Sequence, residues 1–234
     1  MKSRLKPLVT TLACLTTLSG AAMAEESPFS ANIGITSDYI YRGISQTNQR
    51  PALQGGFDYA HASGFYAGIW GSNVSWLADA DPDVSNSLEL DIYAGYSGEA
   101  GPIGYDVGLL QYYYPGKYPS GFTKPHTLEG YVGLSWEFLS FKYSHAFTNL
   151  FGFDDSRGSQ YYDVSAAYPL TESLTLDAHY GFQRIRNADD YKDWSLGLTQ
   201  TWAGYEFGLH YVDTDIKNDK LSDDRITVSV SRSF

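Results

Sequence analysis

The sequence predicts an all-β protein, folded as a single transmembrane antiparallel β-barrel of about 12 strands with up-and-down topology. Three observations lead to this fold class. Apolar and polar residues alternate with a period of two along most of the chain, the connections between alternating segments are short and long in turn, and aromatic residues gather beside the short ones. Alternation alone would also fit a soluble β-sandwich, which gives no reason for the other two features.

The alternating segments are the predicted strands, because successive side chains of a strand point to opposite faces. Residues 88–96 are the clearest case, with Leu88, Leu90 and Ile92 set against Glu89 and Asp91. The segments lie at residues 29–42, 53–59, 65–70, 88–96, 103–109, 128–136, 139–147, 162–168, 174–183, 194–202, 205–211 and 225–234. Their number is even, as single-chain bacterial barrels require.

The connections define two rims. The short connections are at 60–64, 97–102, 137–138, 169–173 and 203–204, and the longer, polar ones are at 43–51, 75–87, 115–126, 148–160, 184–193 and 213–224. Aromatic residues lie within a residue or two of the short connections, namely Tyr59, Phe65, Tyr96, Tyr105, Trp136, Tyr168, Trp202, Tyr205 and Phe234. Short turns, long loops and an aromatic girdle are typical of outer-membrane barrels.

The first 24 residues have the pattern of a signal peptide. Three cations in the first six residues precede an apolar stretch at 8–18, and Ala22-Met23-Ala24 gives a small-x-small cleavage site. The apolar stretch is shorter than the ~20 residues of a membrane anchor, and the residues before Cys14 match a lipoprotein site poorly. We therefore expect a signal peptide at 1–24, export to the outer membrane of a Gram-negative cell, and a barrel at 25–234.

Composition narrows the function classes. Cys14 is the only cysteine and lies in the predicted signal peptide, so no disulfide framework is expected. A formal net charge of −11 argues against a nucleic-acid partner. The expected surroundings are outer-membrane lipid and lipopolysaccharide, and no cofactor is predicted.

The last segment carries a possible assembly signal. Ile226, Val228 and Val230 share one face, hydroxylated residues occupy the other, and the chain ends on Phe234. This ending resembles the closing strand of bacterial outer-membrane barrels, whose terminal Phe is read by the barrel assembly machinery. The resemblance implies that this machinery is a partner through Phe234.

The amino-terminal third resembles a known family. The motifs are TSDYIYRGISQT at 36–47, PALQGGFDY at 51–59 and SGFYAGIW at 63–70 followed by SNV at 72–74, and ELDIYAGY at 89–96 also fits. They resemble the TorF-like family of proteobacterial outer-membrane proteins, assigned as porins and long catalogued as of unknown function. The resemblance implies an outer-membrane barrel with a porin role, and it supplies no substrate and no functional residues.

Catalysis and metal binding find no support in the residues. His145 adjoins Ser144, but neighbours in a strand point to opposite faces and cannot act as a nucleophile and its base. No zinc-protease, Gly-x-Ser-x-Gly or phosphate-loop motif occurs. Asp79, Asp81 and Asp83 alternate as in a calcium loop, yet the positions that need Gly and Glu are occupied by Val and Leu. Divalent ions bridging the acidic loops to lipopolysaccharide are an open alternative.

The polar face predicts the function. Its charged side chains, expected to line the lumen and set selectivity, are Asp38, Arg42, Asp58, Glu89, Asp91, Asp106, Glu129, Lys142, Asp163, Asp177 and Glu206. A concave wall of one sign concentrates counter-ions. Glycines on the same face leave room for solute or for neighbouring side chains. We therefore expect a porin-like channel for passive diffusion of small polar solutes, preferring cations.

A closed barrel is the alternative. About 12 strands lie between the filled interior of eight and the open channel of sixteen or more, and an infolded long loop or a hydrogen-bonded network of the inner carboxylates would block passage. Such a barrel would have a structural or adhesive role, acting through its acidic extracellular loops.

Overall fold

A computed structural model describes residues 27–234, so the predicted signal peptide at 1–24 lies outside the described residues. The barrel strands are β1 (Phe29–Thr36), β4 (Ala52–Ala60), β5 (Phe65–Asn73), β6 (Leu88–Ala100), β7 (Ile103–Tyr113), β8 (Thr127–Trp136), β9 (Leu139–Ala146), β10 (Gln160–Pro169), β11 (Leu174–Arg184), β12 (Tyr191–Trp202), β13 (Tyr205–Thr214) and β14 (Arg225–Ser233). Two short strands, β2 (Ile40–Tyr41) and β3 (Ile44–Ser45), form a separate hairpin, and α1 (Trp76–Ala80) lies between β5 and β6. Within the described residues, no helix is long and apolar enough to cross a lipid bilayer.

The sheet closes on itself. Every barrel strand pairs antiparallel with its neighbours along the chain, and β1 pairs with β4 on one side and with β14 on the other. The predicted fold class is confirmed: this is a closed, up-and-down barrel of antiparallel strands. The connections at 61–64, 101–102, 137–138, 170–173 and 203–204 form the short-turn rim, and the longer segments between the other strand ends form the long-loop rim.

The apolar face of every strand points outward. Ile69 and Ile92, partners in the β5–β6 ladder, expose more than half of their surface, and Val107 and Val132, partners in the β7–β8 ladder, expose nearly half of theirs. A soluble protein rarely leaves so continuous an apolar surface exposed. In hydrocarbon it is favourable, and barrel closure leaves no unpaired strand edge.

Aromatic side chains mark both rims. At the short-turn rim Phe65 packs against Tyr96 and Tyr96 against Tyr105. A second group, which the sequence analysis does not anticipate, points outward near the long-loop rim and consists of Tyr143, Tyr162, Phe182, Trp194 and Tyr211. Paired aromatic belts are found where a barrel surface meets the two membrane interfaces.

The prediction of one strand over 29–42 is wrong. Strand β1 ends at Thr36, and residues 37–51, here called the infolded loop, turn into the barrel interior. Tyr39, expected on the outer face, is buried inside. The β2–β3 hairpin turns at Arg42 and Gly43, whose φ values of 48° and 79° are both positive, as a two-residue type I′ turn requires.

One other boundary affects the interior. Residues 184–193 were predicted to be a loop, but strand β12 starts at Tyr191, so Asp193 belongs to the inner face. The alternation of Tyr191, Asp193 and Ser195 continues that of the predicted strand. The density of Asp residues just before Tyr191 concealed it.

Adjacent residues of β8 test the assignment of the two faces. Val132→Asp puts a charge on the outward face at mid-strand, and it should reduce the folded fraction, at a cost below the ~2–4 kcal/mol of a basic residue at the midplane. Gly133→Asp points inward, opposite Lys142, and should be milder. Heat-modifiable gel migration of protein refolded into vesicles measures both. A larger loss for Gly133→Asp would contradict the assignment.

Candidate functional site

The infolded loop reaches several walls of the barrel. The Tyr39 hydroxyl donates to Glu89 of β6 at 3.1 Å, and the hydroxyls of Tyr41 and Tyr112 on β7 share a hydrogen bond of 2.6 Å. Residues of this loop therefore cross the bore in its long-loop half. They form part of the barrel's internal packing.

Arg42 is the main polar anchor of the hairpin. Its guanidinium donates to Glu129 of β8 at 2.7 Å and to Gln183 of β11 at 2.6 Å, and its carbon Cζ lies 4.2 Å from the centre of the Tyr161 ring. Both side chains of the Arg42–Glu129 pair are about 3% exposed. Breaking such a pair from one side leaves a buried charge without compensation.

Backbone packing brings the tip of the hairpin against the far wall. A Cβ atom on Gly43 would collide with Thr214 and Asp193, on β13 and β12. Together with the positive φ, this close approach restricts the position to glycine. The infolded loop thus spans from Glu89, contacted by Tyr39, on one side of the barrel to Asp193, contacted by Gly43, on the other.

Asp38 fixes the base of the infolded loop. Its carboxylate accepts hydrogen bonds from Ser45 at 2.6 Å, Thr47 at 2.9 Å and Arg225 of β14 at 2.9 Å. Asp38 and Arg42 were predicted to line the wall as part of the first strand. They are inside the barrel, but they belong to the segment that fills it.

The predicted wall carboxylates of the long-loop half are almost fully buried. Glu89, Asp91 and Glu129 expose between 1% and 8% of their surface, and Asp193 exposes 1%. In the described part of the chain, the Oε2 atom of Glu89 and the Oδ1 atom of Asp91 have no hydrogen-bond partner. The infolded loop therefore shields this cluster from the bore.

The other predicted carboxylates face the short-turn half, except Asp163, which lies nearer the long-loop end of β10. Asp106 accepts a hydrogen bond from Tyr66 at 2.6 Å, and Asp58 accepts one from Tyr93. Asp177 accepts from Thr199 at 2.7 Å and lies 3.5 Å from His210. The side chains of Asp177, Asp163 and Glu206 are only partly buried.

Few cations balance these groups. Lys142 lies opposite Asp163 in the β9–β10 ladder, and its ammonium is 4.1 Å from the centre of the Tyr131 ring. His179 is bracketed by two carboxylates, with Nδ1 at 2.9 Å from Asp163 and Nε2 at 2.7 Å from Asp193. Each ring nitrogen of His179 therefore lies within hydrogen-bond distance of a carboxylate.

The inner glycines make room for tyrosine side chains. A Cβ atom on Gly95 would overlap the Tyr66 ring, and one on Gly108 would overlap the Tyr131 ring. The sequence predicts that the inner glycines leave room either for solute or for neighbouring side chains. At Gly95 and Gly108 the room is taken by neighbouring side chains. Gly133 differs, because a Cβ there would meet Asp106 at an ordinary contact distance of 3.6 Å.

Sequence reasoning missed Asp193, Arg225 and the inward aromatics of the infolded loop. Arg225 begins the last strand, whose prediction rests on its apolar residues. Tyr39 and Tyr41 continue the two-residue period of β1, so the sequence places them on the outer face of that strand. The glycine at position 43 was the available signal for a turn here. Two-residue type I′ hairpin turns need positive φ at both positions, and one of the two residues is often glycine.

In the described residues, neither the Ser144–His145 pair nor the acidic residues around Asp79 form a catalytic or metal site. Ser144 is buried inside the barrel, whereas His145 contacts Tyr143 on the outer surface, so the two do not form a catalytic pair. The absence of enzymatic activity stays a prediction. The Asp79 carboxylate accepts hydrogen bonds from the side chains of Arg50 and Asn48. Between residues 27 and 234, no three acidic or histidine side chains are grouped to hold a metal ion.

Residues 21–234 match the model of a family described as "Bacterial protein of unknown function (Gcw_chp)". The chain belongs to this family. The likeness to the TorF-like family stays a prediction, since the family description does not include that name. No curated protein matches the sequence.

Solved porin structures share the fold. A KdgM porin superposes with a TM-score of 0.58 at 11% identity, over 88% of this chain and 99% of that one. A NanC porin superposes with a TM-score of 0.52 at 12% identity, over 87% of this chain and 97% of that one. A second KdgM structure is described as being in complex with disordered oligogalacturonate. It superposes with a TM-score of 0.55 at 9% identity, over 88% of this chain and 98% of that one. At these identities the likeness is one of fold alone.

The Arg42 anchor gives a stability prediction with a control in the same loop. Arg42→Ala should lower the free energy of unfolding by about 3–5 kcal/mol, because Glu129 is left buried and unpaired. Arg50→Ala should cost less than about 1 kcal/mol, since its ion pair with Asp79 is partly exposed. Adding Glu129→Gln to Arg42→Ala should recover part of the loss. Denaturant unfolding in vesicles, followed by tryptophan fluorescence, measures all three, and equal small losses would disprove the anchor.

Proposed function

We propose that the protein is an outer-membrane, porin-like channel for passive diffusion of small polar solutes, with a preference for cations. The barrel closure, the outward apolar surface and the two aromatic belts support placement in a membrane. The similarity in fold to KdgM and NanC porins supports the porin class.

The excess of interior carboxylates is the observation that carries the cation preference. Among the described residues the inner carboxylates are Asp38, Asp58, Glu89, Asp91, Asp106, Glu129, Asp163, Asp177, Asp193 and Glu206, and the permanently cationic inner side chains are Arg42, Lys142 and Arg225. Fixed negative charge in a narrow, low-dielectric bore attracts cations and repels anions. Oligogalacturonate, named with one KdgM structure, is a polyanion. The acidic interior therefore gives no support for transferring that ligand to this chain.

The infolded loop sets the size limit of the proposed channel. It shields the buried carboxylates of the long-loop half, whereas Asp177 and Glu206 in the short-turn half retain access to solvent, as does Asp163 further along β10. A narrow passage at the infolded loop would admit small ions and exclude bulky solutes.

The infolded loop also favours a second candidate function. Its bonds to β6, β7, β8 and β11 across the bore are those expected of a closed barrel. Such a barrel would act through its acidic extracellular loops, in a structural or adhesive role.

Ion selectivity in planar bilayers tests the channel. Under a KCl gradient the wild-type protein should show a reversal potential that indicates preference for K⁺ over Cl⁻. The preference should weaken at high salt, because the Debye length falls from ~10 Å at 0.1 M to ~3 Å at 1 M. Asp177→Asn with Glu206→Gln should reduce it, whereas the loop variant Asp83→Asn with Asp223→Asn should leave it nearly unchanged.

Two results would contradict this proposal. Anion preference of the wild type would refute the reading of the interior charge. Absence of conductance from a correctly folded barrel, in wild type and in Arg42→Ala alike, would favour the closed-barrel function.

The proposed assembly signal at Phe234 is tested separately. Its ring is exposed, lies 5.1 Å from the Arg232 guanidinium, and ends the strand that closes the barrel. Deleting Phe234 should lower the amount of protein in the outer membrane and leave unassembled protein in the periplasm, whereas Phe234→Tyr should retain most of it. Immunoblots of fractionated cells measure this, and unchanged levels on deletion would refute the signal.

A further inference from the structure

A cleft opens at the long-loop rim, away from the bore. Its volume is about 640 Å³, and it is lined by Gly158 and by residues 184–190, between β10, β11 and β12. A hydrogen bond of 3.0 Å from the Arg186 backbone N–H to the Ser159 hydroxyl joins the two loops that form it. The cleft is thus built from segments that are fixed to each other.

Basic side chains gather in and beside the cleft on a protein that is acidic as a whole. Arg184 and Arg186 line it, Arg157 adjoins it through Gly158, and Lys192 is the second residue of β12. All four side chains are exposed, and none forms an ion pair with any residue from 27 to 234. Their charged groups are therefore not held by a carboxylate of the described residues.

Orientation places two of these cations toward the membrane. Gln183 and Asp193 point into the barrel and are buried, so Arg184 and Lys192, one residue away on each strand, point outward. Phe182 and Trp194, two residues further into the membrane on the same face, belong to the aromatic group of the long-loop rim. Two strand residues span roughly 6.6 Å along the strand, which puts Arg184 beyond the aromatic belt, toward the lipid headgroups, and Lys192 is the ladder partner of Phe182 at the edge of that belt.

Two acidic residues also line the cleft. Asp190 accepts a hydrogen bond of 2.8 Å from the backbone N–H of Ile185, which ties its carboxylate to its own loop. Asp189 is the other carboxylate of the lining. The lining thus holds two guanidinium groups and two carboxylates, and with Arg157 and Lys192 beside it four cations stand against two carboxylates.

We propose that this cleft binds the phosphate groups of a phosphorylated glycolipid in the outer leaflet. Guanidinium groups match phosphate oxygens with paired, charge-assisted hydrogen bonds, and the aromatic belt below would lie along the acyl chains. The proposal rests on the outer-membrane placement proposed above. It does not depend on whether the barrel conducts ions.

Native mass spectrometry of the detergent-solubilised barrel tests the site. The probes are bisphosphorylated lipid A and the same lipid with both phosphates removed. The wild type should retain the bisphosphorylated form, and Arg184→Gln with Arg186→Gln should weaken its binding at least about tenfold, since each lost charge-assisted hydrogen bond costs on that order. The control variant Lys117→Gln with Lys124→Gln removes the same charge from another loop and should bind as the wild type does.

Three outcomes would overturn the proposal. They are equal binding of the two lipids, unchanged binding by the Arg184→Gln, Arg186→Gln variant, and displacement of lipid A by an equimolar amount of inorganic pyrophosphate, which would assign the site to soluble phosphates. Conductance measured in bilayers of uncharged lipid keeps the two proposals apart. A cation-selective barrel that fails the lipid test loses only this site.

Discussion

The structure depends on closing the sheet through the pairing of β1 with β14. In hydrocarbon no water can satisfy a backbone N–H or C=O group, so a strand edge left open would carry a row of unpaired groups. The last bonds of this seam join Ala31 and Phe234, with N···O distances of 2.8 and 3.2 Å. Closure then requires every strand to alternate, because each has one face toward lipid and one toward the interior.

Alternation gathers the polar groups of a dozen strands into one interior, and that interior is short of cations. Its carboxylates are satisfied largely by hydroxyl groups, as Asp58 is by Tyr93 and Asp177 by Thr199. The infolded loop supplies further donors, with Tyr39 to Glu89 and Arg42 to Glu129. The segment that narrows the bore is therefore also one that stabilises its charged wall.

Much of the fold could be predicted from the sequence because it follows from a period of two. Ile92 faces outward and Glu89 inward, as the pattern indicates. The infolded loop could not be found in this way, because Tyr39 and Tyr41 continue the period of β1 after the strand has ended. Periodicity records the side that a residue occupies within a strand, and carries no information on where a strand turns away from the sheet.

The interior was predictable in composition but not in arrangement. Which carboxylates point inward follows from parity, whereas the Tyr66 ring above Gly95 and the contact of Gly43 with Asp193 depend on the stagger of neighbouring strands. That stagger is set by barrel closure, and one sequence without its ladder registers does not define it.

The bond between Asp38 and Arg225 joins residues 187 positions apart in the chain. Arg225 belongs to the final strand, so this bond forms only once the whole barrel has been threaded and sealed. Until that step, the base of the infolded loop lacks one of the three bonds of Asp38, and only those from Ser45 and Thr47, both within the loop, are present. The packing of the loop is in this way tied to the closure of the wall.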